Sequence, residues 1–328
     1  MRDFVIRLMA CLLVLFAGSA AIPARAAGDP HVLVLGCVSD DPKTDYELLK
    51  PLLDYVVPRM AGVGIHAGRI LMARDVQQMG SYLRRGRVDW VTGSAATGVL
   101  LQARAGASPL LLTERNGVTR DHAVFFVRRD SGIVSLQDLR GRSVAFQDDW
   151  STGAWFVPAT QLLQQGLSLQ AMPMQVMSQK SMSQKDMSLK SMAPPADRPD
   201  DTSVGYVFAR SELNIATWVH KRLVDAGTIS SLDWHNPQRM PPTWRSEFKI
   251  IDESPEYPLA LEMVRGDLDA SVRARLHDVL IEAAGDPDAG EALLQFSSTT
   301  RFLPIDAATQ EALRHVRDGI ARVHAEVE

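Results

Sequence analysis

From residue 31 to residue 165, short apolar runs alternate with segments of helical spacing, and that alternation restricts the chain to an α/β fold built on mostly parallel sheet. His31 to Val38 (HVLVLGCV) reads as a buried strand with a polar exit at Ser39-Asp40-Asp41-Pro42. Tyr46 to Met60 follows with Leu48, Leu49, Leu52, Leu53, Val56 and Val57 at helical spacing. Gly64 to Met72 predicts a second strand, Val76 to Arg85 a helix and Arg87 to Thr92 a third strand, after which Gly93-Ser94 opens a helix to about Ala105. Residues 122–128 and 143–146 are further strands. Asp148 to Gly153 leads into a helix to about Gln165, with Gly166 as its stop. Beyond it, strands are expected at Val204 to Phe208, Ala226 to Ser230 and Lys249 to Ile251. Helices are expected at Leu213 to His220, Asp269 to Ala284, near Gly290 to Phe296, and at Ala307 to His324. No internal domain repeat can be read.

Residues 1–26 have the layout of a cleaved secretory signal peptide: Arg2 and Arg7, an apolar run from Leu8 to Ile22, then Ala24-Arg25-Ala26 before Ala27. The run is short for a membrane span. Cys11 could belong to a lipobox, but almost no apolar segment would precede it. Export leaves a mature chain long enough for two lobes, each with its own core. The formal net charge is −4, and the leader removes more basic than acidic residues, so the mature chain is more acidic still. That balance argues against nucleic acid as a partner. Of two cysteines, Cys11 leaves with the leader, so Cys37 has no disulfide partner.

Residues 171–202 break the pattern. Met177, Met182, Met187 and Met192 recur every five residues among Ser and Lys, a period of neither helix nor strand. A surface insertion ending in a Pro/Asp linker is expected; a thioether cluster for Cu(I) is the alternative reading.

The chemistry concentrates at two strand-to-helix junctions. Ser151-Thr152-Gly153 and Thr92-Gly93-Ser94 both place hydroxyls and a glycine where a helix begins. There the first-turn N–H groups and the dipole favour an anion. An ordinary N-cap would account for either serine alone. Facing each other across a cleft, the pair would hold a tetrahedral oxyanion from two sides. Cys37, at the end of the first strand, is either core filler or a cleft thiol able to coordinate arsenite or to read redox state. The chain has no His-Glu-x-x-His, Gly-x-Ser-x-Gly or Walker loop. His122, His220, His235 and His277 lack metal-ligand spacing, so neither an enzyme nor a metal site is expected.

Residues 125–163 (FFVRRDSGIVSLQDLRGRSVAFQDDWSTGAWFVPATQLL) resemble the signature region of periplasmic phosphate/phosphite/phosphonate-binding proteins of ABC transporters. The likeness rests on Asp130 to Ile133, Asp138 to Phe146, Ser151 to Gly153 and Pro158. Residues 204–234 and 250–268 are similar to two further stretches of that family. The resemblance implies a two-lobed type II periplasmic binding fold with a mostly parallel sheet in each lobe. It places residues 27–118 with 250–328 in one lobe and 119–249 in the other, joined by crossovers near 115–122 and 245–255. It also implies closure around a small oxyanion, with Ser151, Thr152 and Gly153 binding it from one lobe and Thr92 and Ser94 from the other. The family's Ser-Thr-Ser-Gly is shortened here to Ser151-Thr152-Gly153. Glu256 could take a ligand ammonium, and Tyr46 could close over the ligand. The expected partner of a monomer of this kind is an ABC permease, or alternatively a membrane histidine kinase. No cofactor is implied.

Overall fold

A strand buried on both faces must be covered on both by helices. Val32–Val38 (β1) meets that demand, with Leu33 and Leu35 in one apolar cluster and Val34 in another on the opposite face. The computed structural model describes residues 29–173, 175–176, 192–193 and 199–327. After β1 the chain enters Pro42–Arg59 (α1), started by Asp41, whose carboxylate accepts from the Thr44 amide at 3.3 Å. Ala67–Ala73 (β2), Val76–Arg84 (α2), Trp90–Gly93 (β3), Ala95–Ala105 (α3) and Ser108–Arg115 (β4) follow. The first sheet runs β2-β1-β3-β15-β4-β16, its last members being Ala260–Val264 (β15) and Thr299–Leu303 (β16). β1 is parallel to β2 and β3, while β15 is antiparallel to β3 and β4.

The chain reaches the second sheet through Arg120–Asp121 (β5) and builds it from Ala123–Arg128 (β6), Ser143–Phe146 (β7), Ser168–Ala171 (β8), Ser203–Phe208 (β11), Ala226–Ser230 (β12) and Phe248–Glu253 (β13). Its order is β8-β11-β7-β12-β6-β13. Val157–Gln164 (α4), Glu212–His220 (α5), Ser231–His235 (α6) and Pro242–Glu247 (α7) accompany it. Without the edge strands β8 and β16, both sheets have one topology. In order of formation each reads second, first, third, incomer, fourth, where the incomer (β15 or β6) arrives from the other lobe and runs antiparallel. This repeat is topological and leaves no trace in the residues.

The two crossings pair with one another: β5 lies antiparallel to Tyr257–Pro258 (β14), with Tyr257 opposite Asp121. The return crossing therefore lies at 254–259, after β13 has completed the second sheet, at the end of the expected 245–255. Ala270–Glu282 (α8) and Gly290–Gln295 (α9) cover the first sheet. The final helix, Ala307–Val327 (α10), expected in the first lobe, packs on α3 of that lobe and on α4 of the other. Arg322 Nη2 donates to the Leu163 carbonyl at 2.8 Å across the latter contact. β4, β8 and β16 were not anticipated; in β4, Pro109 and a charged end mask the run Leu110-Leu111-Leu112. The signal peptide expected at residues 1–26 lies outside the described residues, as does most of the Met-rich segment. Two short strands of that segment, Gln175–Val176 (β9) and Met192–Ala193 (β10), pair antiparallel. Among the described residues no helix is long and apolar enough to cross a membrane.

Gly227 in β12 marks a close approach of sheet to helix in the second lobe. A Cβ there would stand 2.5 Å from Ile215 Cγ2 and 2.8 Å from Phe126 Cζ. Gly227→Ala is expected to cost about 1–3 kcal/mol by overpacking. This would be read as a lowered urea midpoint with an unchanged m-value.

Candidate functional site

In both sheets the helices begin at the C-terminal strand ends, which directs first-turn amides and junction side chains into the crevice there. Ser94 caps α3, accepting from the Thr97 amide at 3.3 Å. Ser151 accepts from the Ala154 amide at 3.1 Å and opens a π turn, Thr152–Phe156, that runs on into α4. The two junctions come from different lobes and they meet: the Ala96 amide, in the first turn of α3, donates to Thr152 Oγ1 at 2.8 Å. Gly153 is held by proximity, since a Cβ on it would lie 1.9 Å from the Tyr257 hydroxyl oxygen.

The remaining expected residues divide. Thr92 Oγ1 donates to Glu262 Oε1 at 3.1 Å, so its hydroxyl is committed to the lobe's own interior. Glu262 is fully buried on β15 and also accepts from Trp90 Nε1 at 2.6 Å and from Thr113 Oγ1 at 2.8 Å. Burial raises its pKa, and these donors oppose that shift. Tyr46 stands exposed on α1. Glu256 does not join the helix starts. It is exposed and borders a surface groove of about 380 Å³ between α4 and α10, beside Gln161, Gly319 and Arg322. The Cys37 thiol, pushed up to about 12 by burial first and by Asp45 second, donates to the Val38 carbonyl at 3.2 Å. A thiol so weakly acidic is a poor nucleophile and metal ligand near neutral pH. Among the described residues no group of three or more His, Cys, Asp or Glu could hold a metal ion.

Buried polar atoms almost always have partners, so those without one are informative. Ser39 Oγ, Arg115 Nε, Asp121 Oδ2, Thr228 Oγ1 and Tyr257 Oη are buried and without a hydrogen bond among the described residues. Ser39 follows β1, Arg115 ends β4, and Asp121 and Tyr257 face each other on the paired crossovers. Asp121 Oδ1 takes the Ser231 hydroxyl at 2.6 Å and the His122 amide at 2.8 Å, leaving Oδ2 free. Burial, reinforced by Asp121 and Asp233, holds the Tyr257 phenol well above its usual range, so it stays a neutral donor.

Asp148 is the other residue that local reading passed over. It accepts from the Trp150 amide at 3.1 Å and is pushed up to about 7, chiefly by burial and further by Asp40 of the opposite lobe and by Asp149. Tyr257 lies one residue beyond Glu256, the acid the sequence suggested. Its signal was the flanking Pro255 and Pro258, which mark a crossover strand.

Two outcomes test this geometry. Gly153→Ala is expected to destabilise the closed contact, and Tyr257→Phe, which removes the atom at 1.9 Å, to restore part of the loss. A double-mutant cycle by thermal unfolding would show the coupling, and additive effects would refute it. Asp148 has a folded pKa above its unfolded one, so the folded state holds the extra proton between about pH 4 and about pH 7. Its contribution to stability therefore falls as pH rises through that window and levels off above it. Asp148→Asn is expected to remove that slope from the pH profile of the urea midpoint.

Comparison with known proteins places this geometry. A family profile described as "ABC transporter, phosphonate, periplasmic substrate-binding protein" matches residues 35–309. XAC2383 from Xanthomonas citri, solved with chloride, is 45% identical over 90% of this chain and 100% of its own, with a TM-score of 0.82. The same protein solved with ATP gives 43%, 91%, 100% and 0.80. PhnD1 from Prochlorococcus marinus, in complex with methylphosphonate, shares the fold at 15% identity over 91% of this chain and 100% of its own, with a TM-score of 0.65. The fold is the two-lobed type II periplasmic binding fold. The chain belongs to the family of periplasmic substrate-binding proteins of ABC phosphonate transporters.

Proposed function

We propose that the mature protein is an exported monomer that captures a small oxyanion of the phosphonate, phosphite or phosphate type between its lobes and delivers it to an ABC importer permease. The observation that carries this reading is the meeting of two helix starts from different lobes, Ala96 N to Thr152 Oγ1. Hinge opening at β5 and β14 would part that contact, free the Ala96 amide and the Thr152 hydroxyl beside the capping hydroxyls of Ser94 and Ser151, and admit an anion that closure then encloses. Tyr257 and Ser39 are further neutral donors for its oxygens. The reading agrees with the chloride and ATP bound by the Xanthomonas relative, both anions. The family's members are substrate-binding proteins, and the chain is read as having no catalytic role. The alternative, presentation of the oxyanion to a membrane histidine kinase, shares this cleft; its redox or arsenite form depended on a reactive Cys37, which the chemistry of that thiol does not favour.

Thermal unfolding of the mature protein with methylphosphonate, phosphite, phosphate and ATP tests the proposal. At a hundredfold excess over Kd a bound anion stabilises by about 2.7 kcal/mol, a rise of several degrees. Thr152→Val is expected to diminish it. A flat panel would rule the reading out. N-terminal sequencing of the periplasmic protein is expected to begin at Ala27.

A further inference from the structure

Strand register locates a group that the helix starts do not explain. Leu261 of β15 lies opposite Gly93 on one side and Leu112 on the other. Gly93 ends β3, so β4 continues three residues past that level and ends at Arg115, about 10 Å further along the strand direction. Alternation puts Arg115 on the same face as Leu111 and Thr113, the face covered by α1, whereas α3 covers the other. The backbone there is tightly fixed. Arg115 and Val118 exchange both hydrogen bonds around an Asn116-Gly117 turn, and the Asn116 amide donates to the Ser298 carbonyl at 3.0 Å. Asn116, Ser297 and Ser298 all take positive φ, a costly backbone for non-glycine residues.

Among the described residues, no acid pairs with the Arg115 side chain held by this frame, although a desolvated guanidinium requires a partner. Its Nε is buried without a hydrogen bond among the described residues. The acid whose charge it feels, Glu262, has both oxygens taken by Trp90, Thr92 and Thr113. The Phe296 ring lies 6.0 Å from its Cζ, at the outer edge of cation–π range. The neighbouring Cys37 is a neutral thiol.

We propose that Arg115 is a second anion subsite, on the α1 side of the cleft, and that the captured solute carries two separated anionic groups. One is an oxyanion held at the helix starts. The other is a carboxylate or phosphate that accepts the planar guanidinium fork. Phosphonocarboxylates and oligophosphates are the chemical classes that fit. The inference rests on the solute-capture reading and extends it to a residue absent from the junction motifs.

Titration calorimetry with methylphosphonate, 3-phosphonopropionate, pyrophosphate and ATP tests it, on the wild-type mature protein and on Arg115→Met and Arg115→Lys. The wild type is expected to bind at least one two-anion probe about tenfold or more tighter than methylphosphonate. Arg115→Met is expected to erase that preference while leaving methylphosphonate affinity within about twofold. Arg115→Lys, which keeps the charge and loses the fork, is expected to retain part of it. A wild type with no preference, or a preference that survives Arg115→Met, overturns the second subsite while leaving solute capture intact. Absence of binding by every probe overturns both. If Arg115→Met does not fold, an unchanged preference in Arg115→Lys overturns the proposal and a partial loss supports it.

Discussion

Parallel strands buried on both faces leave each sheet a single accessible end for chemistry. Helices take up the faces, right-handed crossovers return the chain to the same edge, and every helix that follows a strand begins at that strand's C-terminal end. Here this holds twice, in two sheets of one topology, each with an antiparallel incomer from the other lobe. The two accessible ends are brought together by the pairing of β5 with β14, the only ladder shared by the two crossings among the described residues. The meeting of Ala96 with Thr152, the seat of Tyr257 over Gly153 and the position of Arg115 all follow from that arrangement.

The cleft is chemically lopsided. Neutral donors come from both lobes, the α3 amides with Ser94 and Ser39 from the first and Ser151 with Thr152 from the second, and the Tyr257 phenol stands on the crossover; Asp148 of the second lobe and Asp121 of the crossover are acids whose ionised forms would repel an anion. Burial of Asp148 keeps a share of it protonated near neutral pH, so it can donate as well as accept. The first lobe also holds Arg115, whose Nε is buried without a hydrogen bond among the described residues. Neutral donors discriminate by geometry, and a cation by charge, so the helix starts and Arg115 suit different parts of one solute.

α10 adds a constraint on motion. It packs on helices of both lobes and, through Val316, Ile320 and Val323, belongs to an apolar cluster with members in each. Opening the cleft must therefore be accommodated along this helix as well as at the paired crossovers. A third chain segment thus joins the two lobes, although residues 307–324 read only as a terminal helix.

How much could be read in advance depended on sequence separation. Alternation of strands and helices, the exits after β1, β3 and β7, and the caps at Ser94 and Ser151 are local: each rests on a period or on a bond spanning three residues. Such features survive in a sequence because the same few residues both encode and satisfy them. Local reading also chose Glu256 over its neighbour Tyr257, and counted Thr92 as a free hydroxyl, because orientation is not local. Thr92 meets Glu262 across 170 residues, and Ala96 meets Thr152 across 56. The α/β class and the two capped helix starts were therefore decided by sequence alone. The partnering of those starts, the pairing of the two crossings, the reach of α10 over both lobes and the Arg115 Nε left without a hydrogen bond among the described residues were decided only by tertiary structure. The physical reason is that burial and hydrogen-bond satisfaction belong to the assembled lobes, and no stretch of chain contains both sides of the contacts that settle them.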